Sequence, residues 1–412
     1  MKKLLCTSLV LLLIISGITA AFATESVKTT TAAAAGTATG TTTTTSSAVT
    51  TTESAIVPDM TFTGTPIKLS LEDAYKKMLT DSPGAKMAEL NRQAAEGVAK
   101  GYSESISSLR DLKESSDPAD NWFYDPSNEK MARANKVFAT AQGPKNYEAE
   151  INSLRTDTLK NYYTLKELEN QAIIAKSNLD LKEKLLSNTQ LKYKIGTVSK
   201  NDVLKAEISF NEAQDQLAAA TNGLNSMRMA FNLFMGYDLM QNLDLTDTIN
   251  EIPLSQKPLK NSITSALKNR NEIHEAAFNL EIAKLNMISY SAYPSLSSKY
   301  IGAKILLLKA QTAFDNAPLS IEKDVRTKFM EMNQKYSAVQ TGKKSVENAK
   351  ETLRLTQLQY DAGMATLTNV EEAQLGYYNA QLSLSKALLE YNLAVNDYEL
   401  SSGVGTETAT IK

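Results

Sequence analysis

The sequence predicts an all-α protein: two tandem repeats of long antiparallel helical hairpins in coiled-coil packing, with little or no β-barrel. Three observations predict it. The 412 residues include only 17 Gly and 10 Pro, little more than half the usual share of turn formers, which argues for long uninterrupted helices. Residues 186–236 align without a gap on 353–403, a constant shift of 167 with 15 identities in 51 positions, so the fold is duplicated. Each copy also carries an apolar seam in strict 3,4 spacing. Aromatic residues are 7% of the chain with a single Trp, thin for a sandwich or barrel of this length.

The chain opens with Lys2 and Lys3, an apolar run from Leu4 to Ile15 and the small-x-small triplet Ala21-Phe22-Ala23. Residues 1–23 therefore read as a signal peptide and the chain as exported to the cell envelope. The run is shorter than the ~20 residues of a spanning helix, which favours a cleaved leader over an uncleaved anchor. Cys6 has no room for a lipobox before it, and the mature chain carries no cysteine. Loss of the leader, with its two lysines and no acids, takes the formal charge from −2 to −4. Residues 24–65 are Thr, Ala, Ser and Gly with almost no large apolar side chain. Such a stretch buries too little surface to offset the entropy of ordering it and reads as a disordered linker, a spacer first and a site for sugars second.

Residues 66–250 and 251–404 are the two repeats, with a tail at 405–412. In the first, Leu165, Leu168, Ala172, Ala175, Leu179 and Leu186 lead into the break. Val203, Ala206, Phe210, Ala213, Leu217, Ala220, Leu224, Met227, Phe231 and Phe234 then form a seam after it. In the second, Val325, Phe329, Met332, Tyr336, Val339, Val346 and Leu353 precede Val370, Ala373, Tyr377, Ala380, Leu384, Ala387, Tyr391, Ala394 and Tyr398; only Ser401 lapses. Each seam runs about 47 Å at 1.5 Å per residue, and its many alanines suit close antiparallel pairing. The breaks repeat too. Gly196 and Gly363 suit a left-handed helix C-terminus; Ser199-x-x-Asp202 and Thr366-x-x-Asn369 suit the N-cap of the next helix; Tyr193 and Tyr360 each stand three residues before the Gly. Glu371 and Glu372 read as first-turn acids that complement the helix dipole.

Composition excludes much chemistry. His274 and Cys6 are the only residues of their types, so histidine triads, zinc sites and disulfide frameworks are not expected. No catalytic, cofactor-binding or metal residue is assigned, and there is no basic excess for a nucleic acid. Trp122-Phe123-Tyr124 form an aromatic knot, read as packing against helix ends or as a foot for a membrane or partner. Asp81 to Pro83 reads as a local helix disturbance.

The phrase Tyr-x-x-Gly-x-x-x-x-x-(Asp/Asn)-Val-x-x-Ala occurs twice, each time followed by an Ala-rich heptad helix. With it, the chain resembles the TolC-like outer-membrane efflux protein family over about residues 66 to 404. Ile67-Lys-Leu69-Ser-Leu71-Glu-Asp-Ala74 is similar to that family's domain opening, and Ala266-Leu-Lys-Asn-Arg-Asn-Glu-Ile273 to the start of its second half. The resemblance implies a homotrimer whose helices build a tubular conduit, with the hairpin turns at the tunnel entrance. It also implies that the turns, Tyr193, Gly196, Thr197, Val198 and Ser199 in one repeat and Tyr360, Gly363, Met364, Ala365 and Thr366 in the other, meet the hairpin of a periplasmic adaptor (membrane-fusion) protein tied to an inner-membrane pump. All six residues from Thr197 to Ser199 and from Met364 to Thr366 are expected to project from the bundle.

One departure matters. Family members carry two membrane-spanning strands per half, and a spanning strand needs ~9 to 11 residues of alternating polarity. The first connector, Ser103 to Asn146, is charged and shows no alternation; the second offers only Tyr293 to Tyr300. Either the barrel is vestigial or the protein works where no outer membrane has to be crossed. The expected function is a non-enzymatic efflux or secretion conduit, or an envelope-spanning spacer. The alternative is a structural coiled-coil protein of the envelope without transport.

Overall fold

The computed structural model describes residues 61–115, 117, 124–255 and 257–412; the expected signal peptide, most of the linker, and Trp122 and Phe123 lie outside the described residues. The described residues form eight helices and two short strands: β1 (Thr63–Leu69), α1 (Leu71–Asp81), α2 (Pro83–Glu114), α3 (Pro126–Lys194), α4 (Lys200–Met235), β2 (Gln241–Leu245), α5 (Leu259–Asn269), α6 (Asn271–Tyr290), α7 (Ser298–Asp361) and α8 (Leu367–Ser401).

The duplication is visible in the element order. α1 and α5 are both 11 residues long, and each ends at a single residue in extended conformation, Ser82 or Arg270, before the next helix starts. The disturbance expected at Asp81 to Pro83 is thus a full boundary: Ser82 caps α2 by accepting from the Ala85 N–H, and Pro83 fills the first turn, where its missing donor is no loss. The long helices α3 (69 residues) and α7 (64 residues) each run about 100 Å at 1.5 Å per residue. α3 pairs with α2 and then α4; α7 pairs with α6 and then α8. The two repeats meet where α3 packs on α6 at one end and on α8 at the other, which leaves α4 and α7 on the flanks of the turn-bearing end.

The stretch read as a first connector is mostly helix. α2 continues to Glu114 and α3 begins at Pro126, so only residues 115–125 join them. The reason lies in helical spacing that the charged residues mask: Ala95, Ala99 and Ile106 bury one face of α2, and Ala132 and Ala139 one face of α3. The second connection is the short turn 291–297. Among the described residues, neither repeat supplies a strand between its helices.

The strands, which the helical reading did not anticipate, form a parallel pair at the waist. Thr63 to Thr65, assigned to the linker by composition, belong to β1. Around this pair lies a core of Leu69, Tyr162, Leu165, Phe231, Leu243 and Leu245; a second core gathers Val325, Met332, Val339, Tyr391 and Tyr398. Full burial of a side chain such as Phe231 contributes about 2–3 kcal/mol. The tyrosines bury their rings and spend their hydroxyls on the waist. Tyr162 donates to the Leu69 carbonyl (2.9 Å), Tyr391 to Ile252 (2.9 Å) and Tyr398 to Lys257 (3.0 Å).

No seam residue is exposed. Ala206, Ala213, Leu224 and Phe231 in α4, and Val370, Tyr391 and Tyr398 in α8, are buried; Val203, Phe210, Leu217, Tyr377 and Leu384 are half-buried. The tail is a strap. The Asn152, Asn271 and Asn146 amides donate to the carbonyls of Gly405 (3.1 Å), Glu407 (2.8 Å) and Ala409 (2.7 Å), tying 405–409 across α3 and α6.

Candidate docking site at the paired hairpin turns

The end of α3 and the end of α7 solve the same backbone problem in the same way. A helix leaves its last carbonyls without partners. Here Gly196 N–H donates to Tyr193 O (2.9 Å) and Thr197 N–H to Lys192 O (2.9 Å); in the second repeat Gly363 N–H donates to Tyr360 O (3.1 Å) and Met364 N–H to Gln359 O (2.8 Å). These are two Schellman motifs, which require positive φ at the glycine; Gly196 has φ 80° and Gly363 φ 73°. Each following helix opens with a complete capping box, Ser199 with Asp202 and Thr366 with Asn369.

The two turns lie side by side. Tyr360 is 4% exposed and packs with Leu185, Ala206, Leu367 and Val370. Its hydroxyl is 3.3 Å from the Thr189 hydroxyl. Lys192 donates to the Tyr360 carbonyl (2.9 Å), lies 3.5 Å from the Asp361 carboxylate and sits over the Tyr360 ring. The repeat-equivalent Tyr193 is 46% exposed. The same residue type at the same place is thus closed in one repeat and open in the other.

The turn residues divide in the same uneven way. Gly196, Thr197, Ser199, Gly363, Met364 and Thr366 are exposed, and Val198 is half-buried. Ala365 does not project freely; it packs against the cluster around Tyr360. Two apolar side chains stand out furthest, Ile195 at 75% and Met364 at 76% exposed. Ile195 was missed because its partner in the repeat is an alanine. Thr189, Lys192, Leu185 and Leu367 were also missed as tip residues. Thr189 and Thr356 were visible as an identity of the repeat, but Lys192 faces Gln359 there and left no signal.

Behind the turns lies a small polar cavity lined by Asn178, Lys182, Ser209, Glu212 and Glu371. Glu371 and Glu372 lie beyond the first turn of α8, which holds no acid; they do not cap the dipole as expected. Glu371 instead accepts from the Ser209 hydroxyl (2.5 Å), tying α8 to α4. Lys182 is buried, and loss of hydration pushes its ammonium below the usual lysine range, partly opposed by Glu371 and Glu212. Among the described residues no group of three or more His, Cys, Asp or Glu converges as a metal site, and no helix is long and apolar enough to cross a membrane. His274 packs beside Lys145, 2.7 Å between nitrogens.

Residues 293–404 match the family described as outer membrane efflux protein. Over 111 residues the chain is 27% identical to outer membrane protein TolC of Escherichia coli (strain K12), a stretch covering 27% of this chain and 22% of TolC; the match spans about a fifth of that relative's length. Solved structures extend the likeness of fold. The outer membrane protein VceC of Vibrio cholerae superposes with TM-score 0.62 at 16% identity, covering 82% of this chain and 97% of VceC. The CmeC outer membrane channel of Campylobacter jejuni gives 0.61 at 12% identity, over 82% and 87%. CusC, described with transmembrane channel formation, gives 0.64 at 12% identity, over 84% and 94%.

Proposed function

Because residues 293–404 match the outer membrane efflux protein family and most of the chain shares the fold of solved outer membrane proteins such as VceC, we propose that it is a TolC-like member of that family and forms the wall of an efflux or secretion conduit in the cell envelope. Three exported copies close into a helical tube, and the hairpin turns dock on an adaptor protein joined to an inner-membrane pump. The work is passive: the chain supplies a rigid wall and a docking rim and catalyses nothing.

The observation that carries this reading is the contrast between Tyr360 and Tyr193. Within one protomer, hairpin α7/α8 is seated on α3 through Tyr360, Thr189 and Lys192. The open edges, α4 and α7, expose Leu204, Ile208, Leu355 and Leu358. A quasi-equivalent contact places Tyr193 of the next copy against Thr356, the repeat partner of Thr189. Repeated head-to-tail with a rotation of a third of a turn per copy, that contact closes a three-membered ring.

A cysteine-free mature chain makes the test clean. The Thr189–Tyr360 contact is made by the end of the tyrosine side chain, a reach that a direct disulfide does not have, so a short bismaleimide is the linker. It should bridge Thr189→Cys and Tyr360→Cys within one chain, and Tyr193→Cys and Thr356→Cys between chains into a covalent trimer. A protein that sediments as a stable monomer at micromolar concentration, with no inter-chain cross-link, overturns the conduit.

A structural spacer without transport is the second reading, favoured by the direct helix-to-helix connections at the far end. Efflux measured in a strain lacking the gene separates the two. Restoration by the intact chain and failure with Val198→Glu supports docking and transport; a trimer that restores envelope integrity and no efflux supports the spacer.

A further inference from the structure

The end of the molecule opposite the docking turns carries a surface that the conduit reading does not use. α6 and α7 pair as a helical hairpin closed by the turn 291–297, about 100 Å from Gly363 along α7 at 1.5 Å per residue. Its inward positions hold Ala283 and Ala303, both buried, which lets the two helices approach closely. Its tip is apolar and open: Leu296 is 88% exposed, and Ile288, Tyr290, Tyr293 and Ile301 are exposed as well.

Charge singles this tip out. Between Glu281 and Asp315 the chain has no acid and four lysines, Lys284, Lys299, Lys304 and Lys309, although the whole protein has more acids than bases. All four are exposed, and none is in an ion pair among the described residues. Lys299 lies over the Tyr293 ring and donates to its hydroxyl (3.3 Å). Exposed Leu and Ile at the point, tyrosines around them and unpaired lysines behind is the distribution of a segment that rests in a lipid interface. There the apolar groups enter the acyl boundary, the aromatic rings sit at headgroup level and the ammonium groups reach anionic phosphates.

The last turns of α2, at the first-repeat end, run Ser-Glu-Ser-Ile-Ser-Ser-Leu-Arg-Asp-Leu-Lys-Glu. With three acids against two bases they offer the lysines little net charge, and none of their large apolar side chains is exposed to meet Leu296, Tyr293 and Ile301.

We propose that the α6–α7 tip is a peripheral membrane foot that seats on an anionic phospholipid surface without crossing it. It anchors the far end of the protein, where the described residues supply no membrane-spanning strand. This inference is independent of conduction and of the adaptor.

The test is flotation of the leader-free chain with vesicles of phosphatidylcholine alone and of phosphatidylcholine with 30% phosphatidylglycerol. Binding is expected to the anionic vesicles, to fall in high salt and to drop about tenfold or more when Lys299 and Lys304 are both changed to Glu. Tyr293→Ser with Leu296→Ser, at positions 40% and 88% exposed and outside the buried core, should lower it comparably. Failure to bind anionic vesicles overturns the proposal. So does equal binding to neutral vesicles that the lysine changes do not reduce. Dissociation of oligomers by the tip variants, read by sedimentation with lipid binding unaltered, assigns the tip to a second copy instead.

Discussion

The ammonium of Lys192 lies 3.6 Å from the centre of the Tyr360 ring while donating to that residue's own carbonyl at 2.9 Å. One side chain of α3 thereby grips both the face and the backbone of the last turn of α7. It also brings a cation to a helix C-terminus, where the dipole favours it. Lys192→Met keeps the stem and removes the charge, so it isolates the polar part of the contact. We expect a loss of about 1–2 kcal/mol of stability, read from the urea midpoint, with faster amide exchange confined to residues 358–366. Unchanged exchange there would show that the turns are held by the apolar cluster alone.

The two turns should answer differently to the same substitution. Ala365 is packed against the cluster containing Tyr360, Leu367 and Val370, so Ala365→Glu must bury or expel a carboxylate and should cost about 1–3 kcal/mol. Val198 lies in no such cluster, and Val198→Glu should shift stability by no more than about 0.5 kcal/mol. Thermal melts of the two variants check this. Val198→Glu is then the variant in which the proposed adaptor docking can be tested apart from misfolding.

What the sequence made legible follows from period and punctuation. The 3,4 spacing from Val203 to Phe234 located a helix face because burial selects it residue by residue, and Gly196, Gly363 and their capping boxes located the turns because only a few residue types satisfy those backbone groups. The waist was not legible: β1 is mostly exposed threonine and glycine until Leu69, and it pairs with a strand some 180 residues later in a register no local pattern records. The helical character of Ser103 to Asn146 hid behind charge, since an alanine seam is a weak hydrophobic signal. The difference between Tyr193 and Tyr360 was invisible in principle. It arises from where each repeat sits in the protomer, and the two local sequences are alike.

His274 gives the protein a titratable reporter. Burial and the neighbouring Lys145 ammonium hold its imidazole below the ordinary value of 6.5. The folded protein therefore binds fewer protons than the unfolded chain as pH falls through 6.5, so stability declines on that side and is fully present above it. His274→Asn should flatten the decline between about pH 7 and pH 5, the span over which an ordinary imidazole titrates. The chain has a single histidine, so isotope-labelled histidine yields one titrating resonance. Its midpoint should lie below 6.5; a midpoint at or above it would mean that Lys145 is not beside the ring in solution.

Gly143 is placed under two constraints at once, and they can be separated. A Cβ there would stand 3.0 Å from the Cβ of Ala95 on α2, closer than neighbouring side chains ordinarily come. The next residue is Pro144, inside α3, and a proline ring crowds the Cβ of the residue before it whenever that residue is helical. Glycine relieves both contacts, which accounts for a residue that otherwise lowers helix stability by about 1 kcal/mol relative to alanine. Gly143→Ala should therefore fail to deliver that gain, and Gly143→Leu should lose about 1–3 kcal/mol by pushing α2 off α3. In an Ala95→Gly background the interhelical contact is removed and only the proline contact remains, so part of the Gly143→Ala deficit should return. In a Pro144→Ala background the reverse holds. A double-mutant cycle on urea midpoints measures each share. Full additivity in both backgrounds would mean that the spacing of α2 and α3 is set elsewhere along the Ala85, Ala88 and Ala99 face.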